Sequence, residues 1–312
     1  MTQRIWDALI IGAGAAGLSA SQALGRSLRS TLVIDAGEPR NRFAAHMHNV
    51  LGHDGRSPAE IVSMGRAEAE AYGVEFRSGS VVTVRESDAG LARLVVELAD
   101  GETIAARALI VATGVRDELP DIPGIAENWG AGVLHCPYCH GWEVRGRRLG
   151  VITTSPAGMH QARLVRQWSE DVTVFTAGLG ELDEDTVRSF EARGVRLVNE
   201  PVIEVVGDDG SIRLVRTTDG AEYEIDAVFT ASIPVARDTF LDGLELARAP
   251  REQGGALVVD AMQRTSHPRI WAAGNVVVPF ATVPLVAGAG AFTGSAVNAA
   301  LVDDDFDRAV RS

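Results

Sequence analysis

The amino-acid sequence predicts an α/β fold of two three-layer domains, the second inserted in the first, with small antiparallel β elements. The chain of 312 residues is long enough for about two domains. The order strand, turn, helix and strand occurs over residues 6–35 and again over residues 147–175. Because this order is typical of nucleotide-binding α/β units, both domains are expected to be Rossmann-like.

The domain boundaries follow from two crossings of the chain. Residues 115–125 contain Pro120, Pro123 and Gly124, which suit a connection between domains. A second crossing near residues 232–236 returns the chain to its first domain. We therefore predict a discontinuous first domain and an inserted second domain; the first comprises residues 1–115 and 241–312, and the second comprises residues 116–240.

The first domain begins with a strand, a tight turn and a helix. Residues 6–11 are an apolar run, residues 12–17 form the turn, and residues 18–28 have helical spacing. A buried strand at residues 31–34 ends in Asp35. The other predicted elements are an antiparallel pair around 81–96, strands at 108–112 and 269–273, and, in a second domain that begins near Val133, a strand at 147–153, a helix at 158–168 and a strand at 172–175.

Charge and polarity restrict the partners and the location. The chain has 42 acidic and 29 basic side chains, a formal net charge of -13, so neither nucleic acid nor a membrane surface is expected to bind it. Residues 270–302 carry no charge, but Pro284 and Asn298 interrupt them, so a buried strand, turn and helix is expected instead of a membrane span. Arg4 and Asp7 break the N-terminal apolar stretch, and a cytoplasmic location is expected.

A glycine motif follows the first strand. Gly12, Gly14 and Gly17 have the spacing GxGxxG, and Asp35 ends the next strand. Gly12 permits the tight turn, Gly14 lets a pyrophosphate approach the backbone, and Gly17 lets the helix pack on the sheet. The anion is held by the helix N-terminus, and Asp35 accepts hydrogen bonds from a ribose diol. We therefore predict a dinucleotide site and not the alternative, a glycine-rich turn that binds no ligand. The N-terminus of the helix at this site includes Ala15 and Ala16.

The two cysteines of the chain, Cys136 and Cys139, are spaced Cys-x-x-Cys and are flanked by His135 and His140. In a reducing compartment such a pair is expected to serve chemistry instead of structure. The turn brings the sulfurs close enough to bridge, and the histidines can move protons. Two alternatives are a zinc site, which four ligands within six residues would not surround tetrahedrally, and two inert core thiols. No metal is expected.

Together these motifs resemble the low-molecular-weight thioredoxin reductase family, FAD-dependent pyridine nucleotide-disulfide oxidoreductases, over nearly the whole chain. The resemblance implies FAD as cofactor and a homodimer. It also implies that Cys139 contacts the flavin and that Cys136 exchanges with substrate. Asn275 stands where the family has an Asp on the ribityl chain. The residues that carry the resemblance or match flavin contacts of the family, besides the first glycine motif, are Asn49, Gly52, Val81, Thr113, Gly114, Gly274 and Asn275.

The chain departs from that family at its second glycine turn. Thr153 and Ser155 replace the first two glycines, and Pro156 removes a backbone donor. Side chains at these positions would push a pyrophosphate away from the turn. The acidic run at residues 181–185 replaces the basic residues that bind the 2′-phosphate. We therefore expect tight NADPH binding to be lost.

His140 is the other departure, because the family has an Asp after the second cysteine. The motif at residues 136–143 is similar to the gliotoxin- and holomycin-type dithiol oxidases, which pass electrons to dioxygen. The favoured function is a dithiol oxidase in which His140 moves thiol protons. The expected substrate is a dithiol or disulfide, either a small molecule or a thioredoxin-like protein, and the expected electron acceptor is dioxygen. The alternatives are a disulfide reductase that uses NADPH, ferredoxin or another donor, and a flavin-loaded redox sensor; the roles of His46, His48 and His135 stay open.

Overall fold

The computed structural model describes residues 4–88, 90–156, 158–250 and 255–311, which form two compact units. Two features differ from the predicted boundaries. The chain returns to the first unit at Pro234, before residue 241, and Arg237 N donates to Gly114 O at 3.2 Å in that unit. Residues 43–57 belong to the second unit, where His48 lies 3.5 Å from Glu143. The first unit comprises residues 1–42, 58–116 and 234–312, and the second comprises residues 43–57 and 117–233.

The first unit is built on a seven-stranded sheet. Its strand order is β3-β2-β1-β6-β5-β4, and β17 pairs with β6. Strands β3, β2, β1, β6 and β17 are parallel, whereas β4 and β5 are antiparallel to their neighbours. In chain order the elements are β1 (Ile5–Ile11), α1 (Ala15–Arg26), β2 (Thr31–Asp35), α2 (Pro58–Glu70), β3 (Glu75–Ser78), β4 (Val81–Glu86), β5 (Leu94–Leu98), β6 (Thr103–Val111), β17 (Ile270–Ala272) and α6 (Val283–Arg311).

The second unit contains a five-stranded parallel sheet in the order β11-β10-β9-β15-β8 and a three-stranded antiparallel sheet, β12-β13-β14. Strands β7 (Val115–Glu118) and β16 (Ile233–Ala236) lie at the two chain crossings. The remaining elements are β8 (Val133–Leu134), α3 (Pro137–His140), β9 (Leu149–Ile152), α4 (Gly158–Val165), β10 (Val172–Phe175), α5 (Glu184–Glu191), β11 (Arg196–Val198), β12 (Val202–Asp208), β13 (Ser211–Thr217), β14 (Glu222–Glu224) and β15 (Ala227–Thr230).

Strand burial explains both sheets. The parallel strands β1, β9, β10 and β15 are apolar and almost wholly buried, as expected for strands covered on both faces. Strand β5 alternates between buried and half-buried residues, as an antiparallel strand with one covered face does. The predicted fold class is therefore confirmed: two Rossmann-like sheets with small antiparallel elements.

The uncharged segment forms a strand, a turn and helix α6, as expected, but Pro284 and Asn298 do not interrupt the helix. Pro284 lies in the first turn, where its missing N–H is not needed. Asn298 accepts a hydrogen bond from Arg29 Nε at 2.8 Å. Among the described residues α6 is the one helix long and apolar enough to cross a membrane, with a mean hydropathy of 1.5 in a window that is 39% buried. Gly290 and Gly294 bring its buried face against the backbone of α1.

A charge network attaches the end of α6 to the sheet of its own unit. Asp305 accepts hydrogen bonds from Arg29 at 2.7 Å and Arg107 at 2.6 Å, and it also pairs with Arg308. Arg107, with a side chain only 8% exposed, donates to Asp7 at 2.7 Å. Burial acts to raise the pKa of Asp305, but the guanidinium groups outweigh it and hold the pKa well below its usual range.

We predict that Asp305→Asn lowers the free energy of unfolding at pH 7 by about 1–2 kcal/mol, since the charge-assisted hydrogen bonds from Arg29, Arg107 and Arg308 are weakened in a partly screened site. A depressed carboxyl pKa adds stability above the unfolded-state pKa, near 4, and that stability is lost as the pH falls toward the folded-state value. The deficit of the variant should therefore shrink on acidification, in urea unfolding measured from pH 7 to pH 3. Asp303→Asn, at an exposed position of the same helix, is the control; an equal loss there would contradict the prediction.

Candidate active site

The residues predicted to bind a dinucleotide lie at one edge of the first sheet. Ile11 is in register with Ile34 on β2 and with Val111 on β6, and Val111 is in register with Ala272 on β17. Because these strands are parallel, the residues that follow them emerge side by side. The structure thus brings Gly12, Asp35, Thr113, Gly114, Gly274 and Asn275 to the carboxyl edge of one sheet. Val81 begins β4, shortly after Ser78, which is in register with Asp35.

The Gly12 turn has the geometry that the motif predicts. Gly12 has φ +101°, and its N–H donates to Ile34 O at 2.7 Å. A Cβ on Gly17 would overlap the carbonyl oxygen of Gly12, whereas a Cβ on Gly14 would meet nothing within 4 Å. The helix therefore packs directly on the turn, and the backbone at Gly14 is open to a ligand.

The N-terminus of α1 is free of acidic side chains in its first turn. Leu18 N donates to Gly14 O at 2.9 Å, the first bond of the helix, so the N–H groups of Ala15, Ala16 and Gly17 precede the helical ladder. Asp35 accepts from Ala13 N at 2.9 Å and holds the turn. Such a terminus can bind a pyrophosphate.

Thr113 and Asn275 complete this edge. Thr113 Oγ1 is buried and has no hydrogen-bond partner among the described residues, so it can bind a polar group of a cofactor. The Asn275 side-chain amide donates to the carbonyl oxygens of Val278, Pro279 and Ala281 at 3.1, 3.2 and 2.9 Å, and only its oxygen is left to face a ligand. The residues present fit a dinucleotide such as FAD.

Asn49 belongs to the second unit, whereas the other residues predicted to contact FAD belong to the first. It has φ +60°, a left-handed conformation that Asn tolerates, and its N–H donates to Asp54 Oδ1 at 3.0 Å. Its predicted position along the flavin stays a prediction.

Cys136 and Cys139 form a disulfide in the second unit, with 5.2 Å between their Cα atoms. Cys136 follows β8 and caps the one-turn helix α3, and Cys136 O accepts from the N–H groups of Cys139 and His140 at 3.1 and 3.2 Å. Both cysteines are half-buried. The cysteine pair thus lies at the carboxyl end of a parallel strand and is accessible for exchange.

Side chains outside the motif hold this turn. Gln161 Nε2 donates to His135 O at 2.5 Å, just before Cys136. A Cβ on Gly141 would lie 2.6 Å from the Trp168 ring, so the chain passes directly under that ring. The exposed Tyr138 contacts Trp168 edge-on, with ring centroids 5.9 Å apart. Sequence reasoning missed Gln161 and Trp168, because neither belongs to a local motif.

His140 is half-buried beside the disulfide. Burial lowers its pKa below the usual value; Glu143 acts to raise that pKa and His48 to lower it further. Neutral imidazole therefore predominates at pH 7 and can accept a proton. Within the described ranges no group of three or more His, Cys, Asp or Glu side chains is arranged to hold a metal ion.

Comparison with known proteins identifies the family. A sequence profile described as Pyridine nucleotide-disulphide oxidoreductase matches residues 6–298. The chain belongs to this family. The resemblance inferred from the motifs is confirmed, and the protein is an FAD-dependent disulfide oxidoreductase of the thioredoxin reductase type.

Three similar proteins span nearly the whole chain. Thioredoxin reductase tcpT of Claviceps purpurea (strain 20.1) is 34% identical over 313 residues, 97% of this chain and 96% of the relative. The crystal structure of HlmI matches with a TM-score of 0.92 at 42% identity, and covers 98% of this chain and 96% of HlmI. The crystal structure of the oxidoreductase from Agrobacterium tumefaciens matches with a TM-score of 0.90 at 37% identity, and the match covers 96% of this chain and 99% of the other.

The second glycine turn of this oxidoreductase is filled by protein atoms. Thr153 is 3% exposed, and its Oγ1 donates to Phe175 O at 2.7 Å. The N–H groups of Gly158 and Met159, at the start of α4, donate to Ser155 O and to Pro156 O at 2.9 and 3.1 Å. These donors are satisfied by the preceding turn, in contrast to those of α1.

The acidic run after β10 also has local partners. Asp183 caps α5 by accepting from Thr186 N at 2.7 Å, and this contact lowers its pKa. Glu184 and Asp185 lie on the exposed first turn and pair with Arg188. A phosphate group at this place would meet negative charge.

We predict that Asn275→Asp, which restores the residue of the family, weakens FAD binding. A carboxylate cannot donate to the three carbonyl oxygens that Asn275 holds, and it would place negative charge against them. The turn before α6 should lose about 1–3 kcal/mol. The measurement is FAD released on dilution, followed by flavin fluorescence, together with thermal unfolding. Asn298→Asp, on α6, is the control; unchanged FAD retention in Asn275→Asp would refute the account.

Proposed function

We propose that this oxidoreductase is a dithiol oxidase that converts a dithiol and dioxygen into a disulfide and hydrogen peroxide. The observation that carries the proposal is the filled second turn, where Thr153 is buried and the N–H groups of Gly158 and Met159, at the start of α4, are bonded to the preceding turn. The disulfide and the first glycine turn retain their geometry. Electrons would therefore enter from thiols and not from NADPH.

The cysteine pair would perform the exchange. A substrate thiolate attacks Cys136 Sγ, the bond to Cys139 breaks, and Cys139 leaves as a thiolate. The second substrate thiolate then attacks the substrate sulfur of the mixed disulfide and releases Cys136. His140 accepts the thiol protons, because its lowered pKa keeps the imidazole neutral near pH 7.

FAD would be held by the carboxyl edge of the first sheet and supplies the two-electron acceptor for the reduced cysteines. The Gly12 turn and the N-terminus of α1 would bind its pyrophosphate, and Asp35 its ribose. Thr113 and the oxygen of Asn275 would bind polar groups of the cofactor.

The alternative is a disulfide reductase with the opposite electron flow. It is favoured by the names of relatives such as thioredoxin reductase tcpT and thioredoxin reductase sirT of Leptosphaeria maculans, the latter 32% identical over 94% of this chain. The same cysteines would serve both directions. The electron donor decides between the two functions, and the substrate would be a protein disulfide in the second case.

We predict that an anaerobic dithiol bleaches the flavin absorbance while NADPH and NADH do not, and that air restores it with one peroxide per dithiol. Stopped-flow absorbance with dithiothreitol, NADPH and NADH measures this. Cys136→Ser should abolish bleaching by the dithiol, because the exchange needs both sulfurs. Ser169→Ala, in the same unit, is the control. Rapid bleaching by NADPH would overturn the oxidase and support the reductase.

We further propose that the protein is a homodimer. An apolar row on α6 supports this, in which Leu285, Phe292, Ala299 and Phe306 recur every seven residues and are exposed. Such spacing suits packing against another helix. A second copy of the chain is the proposed partner, as the family resemblance implies.

We predict that Phe292→Glu converts the dimer to a monomer, because it buries a charge in the apolar contact. Light scattering after size exclusion measures the mass. Val82→Glu, at an exposed position on β4, should leave the dimer intact. A monomeric wild-type protein would refute the proposal.

A further inference from the structure

A short loop of the second unit places an imidazole between two carboxylates near the disulfide. His48 Nδ1 lies 3.3 Å from Asp54 Oδ2, and His48 Nε2 lies 3.5 Å from Glu143 Oε1. The exposed fractions of the side chains rise from 28% at His48 to 39% at Glu143 and 69% at Asp54. Glu143 follows helix α3 in the chain, and Asp54 is the most exposed of the three groups.

The backbone of the loop sets the position of His48. Met47 N donates to Arg56 O, and Gly55 N donates to Met47 O, both at 2.8 Å. Asp54 uses its second oxygen, Oδ1, to accept from Asn49 N at 3.0 Å. Because Asp54 is bonded to the backbone beside His48, its carboxylate also orients the imidazole.

Glu143 connects this loop to the helix that carries the cysteines. Its N–H donates to His140 O at 3.2 Å, so both residues belong to the same turn of chain. The two groups that act on His140 electrostatically are Glu143 from its own turn and His48 from the loop, with opposite signs. Thiolates at Cys136 and Cys139 would add negative charge on reduction.

The proton balance of thiol–disulfide exchange indicates what these side chains can do. The exchange half of a turnover converts a dithiol and the Cys136–Cys139 disulfide into a substrate disulfide and two cysteine thiolates, and it releases two protons. The two electrons stay on the cysteine sulfurs, since one S–S bond breaks as another forms. His140 can hold only one added proton, so it has to pass one on before it accepts the next.

We propose that His48, oriented by Asp54, and Glu143 are positioning residues that pass protons between His140 and solvent during thiol–disulfide exchange. The inference rests on the proposed function, because it concerns protons released by a dithiol. Glu143 favours a proton on His140, and His48 opposes it. Loss of Glu143 and loss of His48 therefore change the protonation of His140 in opposite directions.

The test is the pH profile of anaerobic flavin bleaching by dithiothreitol in the FAD-loaded protein. Removal of a negative charge in Glu143→Gln should move the midpoint to lower pH, and His48→Gln should move it to higher pH, each by about half a pH unit. Asp54→Asn should follow His48→Gln in direction, because it frees the imidazole. A role in folding alone would not give shifts of opposite sign.

His46→Gln is the matched control. His46 lies on the same loop, but its Nδ1 contacts only the carbonyl oxygen of Gly55, at 3.2 Å, among the described residues. Its profile should coincide with that of the wild type. If dithiothreitol does not bleach the wild-type flavin, the oxidase proposal and this inference both fail. If it does, but Glu143→Gln and His48→Gln shift together or not at all, only the proton relay is refuted.

Discussion

Close backbone packing of helix α1 is the constraint on which the first unit depends. Gly17 lies directly on the carbonyl of Gly12, and Gly290 of α6 lies against the backbone of Ala16. Because no side chain separates these segments, a Cβ at either glycine would move the helix away from the sheet edge. The N-terminus of α1, the open backbone at Gly14 and the buried Thr113 hydroxyl depend on this packing for their common position.

The second unit uses the same sheet architecture for a different purpose. Thr153 occupies the turn after β9, and its hydroxyl is bonded to Phe175 O. At the edge strand of the same sheet, Cys136 and Cys139 form a disulfide on a short helix. The unit has therefore kept its thiol chemistry, while its nucleotide turn has the packing of a structural loop. His140 follows the second cysteine, and its burial favours a neutral base.

Sequence reasoning found what is encoded locally. The strand before Gly12, the first helix and the strand that ends in Asp35 were predictable, since apolar periodicity and glycine spacing are short-range signals. Helix α2 and the β12-β13-β14 sheet were not predicted: α2 buries little of its surface, and the strands of the sheet are partly exposed. The hydrogen bonds that the Asn275 amide donates could not be predicted either, because their carbonyl acceptors depend on how the following turn folds.

The sequence by itself determined the fold class, the two motifs and the loss of glycine at the second turn, because each depends on residue types at fixed short spacings. Only the tertiary structure decided that residues 43–57 join the second unit and that His48 meets Glu143. Those contacts join segments about ninety residues apart, and spacing along the chain carries no information about which distant carboxylate an imidazole will meet.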